Sequence, residues 1–392
     1  SQGPLRDGVM TLYFPIRGGS YDFRRVPDDA FSFYYPRGRP TAPYTYTPPL
    51  QTDDEWPVGT PEEVGLSRAK LSEMAAEIAG MGADSIGTLR VHGLLVARHG
   101  KLVFEEYFHG ENRERPHDTR SASKSVMTVL LGAAMQAGVD IRPETSVYGV
   151  MEPGVVQSDP RKRALTLENL LTMSSGLDCD DNVDASPGSE ENVTQVQENP
   201  DWYRVILDLG MIRAPGDSAV YCSIQPHLAG GVLARAAGRS LPDLMQELVA
   251  EPLRMRDYYA FLAPQGEGYM GGGWRFRPRD FMKLGQLYLD GGTWQGRRVL
   301  SEEWVKRSTA PLYPMGRRAR YGYLWWVWEY PYRGGTVQAY FASGNGGQEV
   351  MVIPQLDMVI ATYGGNYAES AGWLSITDLI PRFILAAVEP GT

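Results

Sequence analysis

Two Ser-x-x-Lys steps stand in the chain, and their surroundings differ. Ser121-Ala-Ser-Lys124 runs into Val126, Met127, Val129, Leu130, Leu131, Ala133, Ala134 and Met135, apolar nearly all round. A helix of that kind is buried in the middle of a protein. Lys124 falls in its first turn, one helical turn from Ser121 and on the same face. Burial penalises an ammonium and drives it toward the neutral amine. A neutral amine can accept the Ser121 proton and turn a poor nucleophile into a good one. The helix N-terminus favours the negative charge that then develops. Ser67-Arg-Ala-Lys70 instead opens an amphipathic helix through Leu71, Met74, Ala75 and Ile78, where Ser67 is a cap and Lys70 is solvated. The bland reading of the first copy is the same, a capping serine and a lysine that snorkels to water.

Acylation of a serine needs further parts: a group that passes a proton to the leaving atom, and two N–H donors for the oxyanion. Tyr221-Cys-Ser223 suits the first role. It follows the turn Pro215-Gly216-Asp217 and precedes a helical stretch, a junction from which a phenol can enter a cleft. Ser343-Gly-Asn-Gly-Gly-Gln348 suits the second, because its glycines permit close backbone approach. In isolation the first is an ordinary half-buried tyrosine and the second a hairpin turn. His117 and His227 have no spacing that sets them beside Ser121, and both read as structural.

The rest of the chain must position these groups. A hairpin is expected from Leu94–Arg98 and Leu102–Phe108 around His99-Gly100-Lys101. A buried helix follows from Ser121 to about Gln136. Helices are expected at Leu167–Met173, Trp202–Leu209, Ile224–Ala237, Leu241–Val249 and Pro278–Asp290. Strands are expected at Tyr321–Glu329, Thr336–Ala342, Gln348–Ile353 and Met358–Tyr363, then a last helix over about Trp373–Val388. This order predicts an α/β (α+β) fold: an antiparallel sheet flanked by terminal helices, with a mostly helical lobe inserted. The expected divisions are an irregular Pro- and aromatic-rich arm at 1–60, a sheet domain at 61–115 and 265–392, and the helical lobe at 116–264. The arm carries nine prolines and eleven aromatics, including Phe31-Ser-Phe-Tyr-Tyr35, too many rings for a disordered tail. The alternating aromatics of Tyr321-Gly-Tyr-Leu-Trp-Trp-Val-Trp328 read as core, with one face available to an acyl pocket.

Composition excludes several classes. With 38 Lys+Arg against 47 Asp+Glu, a net charge of −9 and no dense basic block, a nucleic-acid partner is not expected. Hydrophobic content of 43% and charged content of 22% exclude a disordered or collagen-like chain. Two cysteines, Cys179 and Cys222, are too few for a disulfide scaffold or a Cys-based zinc site, and whether they pair is open. The histidines show no HExxH, so no metal is expected. Gly266-x-Gly268-x-x-Gly271 has the letters of a dinucleotide fingerprint but follows Ala263-Pro264-Gln265 rather than a strand, so no cofactor is expected either. No apolar run reaches the roughly 20 residues that cross a bilayer. The chain opens on Ser1 rather than Met, as a removed export signal or a trimmed end would leave it. A secreted or periplasmic location is slightly favoured over a cytoplasmic one.

Taken in order, Ser121-x-x-Lys124, Tyr221-x-Ser223 and the Gly-rich segment Gly344–Gln348 resemble the serine β-lactamase and penicillin-binding-protein superfamily, in its class C-like esterase branch. Pro61-Glu-Glu-Val-Gly-Leu66, Leu167-Glu-Asn-Leu-Leu-Thr-Met-Ser-Ser-Gly176, Gly271-Gly-Gly-Trp-Arg-Phe-Arg-Pro-Arg-Asp280 and Leu284-Gly-Gln-Leu-Tyr-Leu-Asp-Gly-Gly292 extend the likeness over about residues 60–390. Val220-Tyr-Cys-Ser223 is most similar to the nylon-oligomer (aminohexanoate-dimer) hydrolases and related carboxylesterases. The resemblance implies a β-lactamase-like fold and an acyl-enzyme on Ser121, with Lys124 as general base and Tyr221 as relay to the leaving group. It implies an oxyanion hole from the Ser121 N–H and one N–H of Gly344–Gln348, Asn345 first and Gln348 second. It implies small-molecule esters or linear amides as substrates.

The departures concern substrate. Ser223 stands where penicillin-recognising enzymes have Asn, and Asn345-Gly-Gly347 where they have Lys-Thr-Gly, with no cation for a substrate carboxylate. Cys179 occupies the place of a substrate-binding Tyr of the nylon-oligomer enzymes, and Gly271 that of an Asn. Cys179, Asp181, Ser223, Gly271 and Gln348 are therefore the candidate substrate-binding residues. The acidic loop Asp178-Cys-Asp-Asp181 would suit a cationic or amine-bearing substrate. The alternatives are a β-lactamase or D-stereospecific peptidase and, in another class, a non-catalytic binding protein of the same fold.

Overall fold

The computed structural model describes residues 8–14, 19–24, 43–82, 87–195 and 200–391. The first strands are β1 (Val9–Phe14) and β2 (Gly19–Arg24), an antiparallel pair. This corrects the expectation of an arm irregular throughout; Phe31-Ser-Phe-Tyr-Tyr35 lies outside the described residues. Residues 43–60 do run irregularly over the body. They are held by Tyr44 donating to Glu106 at 2.6 Å, Tyr46 donating to the Val103 carbonyl at 2.7 Å, and Arg279 reaching the Leu50 carbonyl at 2.8 Å. Trp56 is fully buried at the end of this stretch.

Ser67 caps α1 (Arg68–Gly80), accepting from the Lys70 N–H at 3.3 Å, and Lys70 pairs with Glu73 at the surface. The capping reading of this Ser-x-x-Lys step is therefore correct. The hairpin expected next forms as β3 (Val91–Arg98) and β4 (Lys101–Tyr107). His99 and Gly100 have φ of 51° and 72°, the left-handed pair that a tight hairpin turn requires. The short β5 (His117–Asp118) pairs with β6 (Arg275–Phe276), which closes the long, mainly helical stretch between them. Two ribbon strands, β7 (Thr293–Trp294) and β8 (Arg297–Arg298), follow. Then come β9 (Tyr313–Met315), β10 (Ala319–Tyr321), β11 (Trp326–Tyr332), β12 (Gly335–Gly344), β13 (Gln348–Ile353) and β14 (Met358–Gly364).

The main sheet is eight-stranded and antiparallel, in the order β4-β3-β14-β13-β12-β11-β10-β9. The hairpin near the N-terminus thus completes a sheet made mostly by the C-terminal third. Strand alternation sorts its residues into two cores. Val350 and Val352 of β13, with Leu95 and Ala97 of β3, join the cluster that includes the helices Pro278–Leu289 and α2 (Lys124–Gln136). Met351, Ile353, Leu94 and Val96 face the other way, against α1 and the terminal helix. With both faces covered, β13 and β14 are buried along their whole length, which is why they read as continuous apolar runs.

The terminal helix is wound more widely than an α-helix over Ser375–Leu385 and holds Pro381 inside it. Proline lacks the N–H and crowds the carbonyl one turn back, and the wider i→i+5 winding relieves that. Its inward Ile376, Leu379, Ile380, Phe383 and Ile384 are all buried.

Candidate active site

The turn Arg120–Ser123 is a 3-10 helix that runs straight into α2. Arg120 has φ +49°, an uncommon conformation for a side chain with a Cβ. Its surroundings impose it. The Arg120 N–H donates to Asp118 Oδ1 at 2.9 Å, and its carbonyl accepts from Ser123 Oγ at 2.8 Å and the Gly273 N–H at 3.1 Å. Thr119 is tied to the Trp274 carbonyl through both its N–H and its hydroxyl. Along α2, Ser125 and Thr128 donate to the carbonyls of Leu324 and Tyr323 at 2.6 and 2.7 Å. These bonds hold the serine turn against the body from two sides.

Lys124 is 1% exposed, so it does not snorkel. Its Nζ donates to Ser121 Oγ at 2.9 Å and to the Gly271 carbonyl at 2.5 Å, and lies 4.9 Å from the centre of the Tyr221 ring. The charge of this amine departs from expectation. Burial pulls its pKa down, but Tyr221, Glu190 and Asp181 outweigh burial and hold it above the ordinary lysine range. Lys124 is an ammonium at neutral pH, not the neutral amine that burial alone would leave.

Tyr221 is braced from the loop that carries the acidic residues. The Asp181 N–H donates to the Tyr221 carbonyl at 3.0 Å, and the Asp181 carboxylate accepts from the Ser223 N–H at 2.7 Å and its hydroxyl at 2.6 Å. Between these two points Cys179 and Cys222 form a disulfide, with Cα atoms 5.9 Å apart, which closes the question that the sequence left open. Glu190, whose N–H donates to Asp181 at 3.0 Å, accepts from the buried Tyr269 hydroxyl at 2.6 Å.

The glycine-rich turn meets the serine turn backbone to backbone. A Cβ on Gly344 would come within 2.3 Å of the Thr119 carbonyl and 2.8 Å of the Ala122 N–H. Gln348 is fully buried and pins the turn, donating to the Gly364 carbonyl at 2.7 Å and accepting from the Gly364 N–H at 3.2 Å. The Asn345 side chain accepts from the Ala368 N–H at 2.7 Å. Glu349, paired across the sheet with Ser343, accepts from Thr362 and Ser375, yet burial pushes its carboxyl up to about 8.

A cleft of about 670 Å³ opens over these groups, within the range of small-molecule sites. Ser121, Tyr221 and Asn345 line it, with Lys124 directly behind. Cys179, Asp181, Ser223, Gly271 and Gln348, expected as substrate contacts, are not on its lining. Cys179 is spent on the disulfide, Asp181 and Ser223 on each other, Gly271 on the Lys124 amine, and Gln348 on the turn. The alternating aromatics do supply a wall, through Trp326 and Trp328, and Trp326 stacks on Tyr221 with centroids 5.8 Å apart. The sequence reading missed Arg317, Arg318, Glu349 and Trp373, which also line the cleft. No local pattern marks them; sheet order brings them there. His117 bonds His92 at 2.8 Å, and His227 stacks on Tyr203 at 4.5 Å, so both serve packing as expected. Among the described residues no cluster of His, Cys, Asp and Glu is fit to hold a metal ion, and no helix is long and apolar enough to cross a membrane.

Comparison with known proteins agrees with this architecture. The model of the family described as Beta-lactamase matches residues 74–364. A 6-aminohexanoate-dimer hydrolase of Paenarthrobacter ureafaciens is 26% identical over 229 residues, 55% of this chain and 56% of that protein. The chain therefore matches only about half the length of that curated relative. Among solved structures, EstCE1, a hydrolase with promiscuous acyltransferase activity, superposes with a TM-score of 0.62 at 18% identity, covering 80% of this chain and 100% of that one. A simvastatin synthase from Aspergillus terreus superposes with a TM-score of 0.61 at 17% identity, covering 82% and 98%. At such identities these structures speak for the fold alone, whereas the family match spans most of the chain: the protein belongs to the Beta-lactamase family.

Proposed function

We propose that the protein is a serine hydrolase that forms an acyl-enzyme on Ser121 and hydrolyses carboxylic esters, with linear amides next in order. The observation that carries this reading is one contact: Lys124 Nζ at 2.9 Å from Ser121 Oγ, on a cleft that Tyr221 also lines. The charges around Lys124 favour its ammonium form, so the active form is the one in which Lys124 has released its extra proton. Lys124 then takes the Ser121 proton as Oγ attacks the carbonyl. The Ser121 N–H and the Asn345 N–H steady the oxyanion. Tyr221 hands the proton to the leaving oxygen or nitrogen, and water, entering by the same route, releases the acid.

The aminohexanoate name of the curated relative supports including linear amides among the substrates. The β-lactamase reading is weaker, since the Asn345-Gly-Gly347 turn holds no cation. The helical stretch 116–264 is proposed as a lobe inserted in a sheet domain of 61–115 and 265–392. A panel of nitrophenyl esters, linear aminohexanoate amides, D-amino-acid amides and a chromogenic cephalosporin tests the assignment. Ester turnover that Ser121→Ala removes without unfolding the chain supports it. A folded chain inert on every substrate supports a binding protein instead.

A further inference from the structure

The cleft is more elaborate than the bond-breaking step needs. Trp326 and Trp328, two apart on β11, share one face and continue the apolar surface beside Tyr221. The tight turn Gly316-Arg317-Arg318, between β9 and β10, places both arginines on the lining of the same cleft. Both arginines are exposed, and among the described residues neither has a carboxylate within ion-pair distance. Most arginines elsewhere on this surface are paired, as Arg307 is with Glu144. Two acidic residues line the cleft, Glu349 and Glu369. Burial keeps Glu349 largely protonated at neutral pH, which leaves one carboxylate against two cations. Asp181, the sequence candidate for holding a substrate amine, is already bonded to Ser223 and to the Glu190 N–H, and is not on the lining.

We propose that the acyl group this site takes is apolar along its length and anionic at its far end, with Arg317 and Arg318 holding that end and Trp326 and Trp328 lining the way to it. The inference rests on the acyl-enzyme reading and deepens it. It runs opposite in charge to an amine-ended aminohexanoyl group. Guanidinium groups match carboxylates in geometry, and exposed as they are, their pull weakens with added salt. The bonds made and broken are those of ordinary ester hydrolysis: water adds, and an alcohol and a dicarboxylate leave.

Three nitrophenyl esters of one chain length test it: the octanoate, the suberate monoester with a terminal carboxylate, and the 8-aminooctanoate with a terminal ammonium. The expected order of kcat/KM is suberate, octanoate, aminooctanoate, with the first step about three- to tenfold and smaller at high salt. In the double variant Arg317→Ala/Arg318→Ala, the suberate-to-octanoate ratio is expected to fall toward one. Preference for the aminooctanoate, or a ratio that the double variant leaves unchanged, overturns the inference while the acyl-enzyme reading stands. Absence of turnover on all three esters overturns both.

Discussion

At the scale of residues, the proposed chemistry turns on how Lys124 sheds its extra proton. Its pKa is held up against burial by Tyr221, Glu190 and Asp181, so the folded protein keeps the ammonium until pH rises. Ester turnover should therefore increase with pH above neutrality. Glu190→Gln removes one of the charges that favour the ammonium, and its pH–rate profile should shift to lower pH. A profile that does not move would free Glu190 of that role. Lys124→Ala should cost on the order of 10² or more in kcat, the scale of lost acid–base catalysis. The spacing of Ser121 and Lys124 on one helical turn was legible in the sequence; the charge of Lys124 was not. Burial could be read from the apolar run after Lys124, but Glu190 and Asp181 reach the amine only through folding of a distant loop.

At the scale of elements, two joints hold the site. The first is the disulfide between the acidic loop and the tyrosine loop. It closes a span with a sequence separation of 43, and removing such a bridge by Cys179→Ser or Cys222→Ser should cost about 2–4 kcal/mol. Chemical denaturation, with and without a thiol reductant, measures this; the reductant should bring the parent chain to the level of the variants. The second joint is Gly344 against the serine turn. Gly344→Ala puts a methyl into the Thr119 carbonyl and the Ala122 N–H. It should cost about 10²-fold in turnover, as small misplacements of reacting groups do, while far-UV circular dichroism stays that of a folded chain. Strands β12 to β14 were readable because both faces of the sheet are covered. The β1–β2 hairpin was not, because the many prolines of residues 1–60 read as an irregular arm. Arg317, Arg318 and Trp373 were beyond local reading, since each meets the cleft only after the sheet has assembled.

At the scale of the whole molecule, buried titrating groups set where the fold is most stable. Burial lowers His92 to about 3 and His117 to about 4, so they stay neutral in the fold while the unfolded chain takes up protons below pH 6.5. Their contribution is lost as pH falls from 6.5 toward 4. Burial raises Glu349 to about 8 and Glu106 to about 7, so between pH 4.5 and those values the folded chain keeps protons that the unfolded chain has released. Their effect is a loss of stability as pH rises. Together these groups place the optimum between pH 4.5 and 6.5, which a series of thermal melts against pH would show. Glu349→Gln should flatten the decline above pH 6.5. On the proposed reading, the two-core sheet, its helices and the cleft present one activated hydroxyl. Intact-protein mass spectrometry after treatment with a fluorophosphonate tests that most directly. The account predicts a single adduct, mapped to Ser121 and lost in Ser121→Ala. An adduct on another residue, or a folded chain that stays unlabelled, would contradict it.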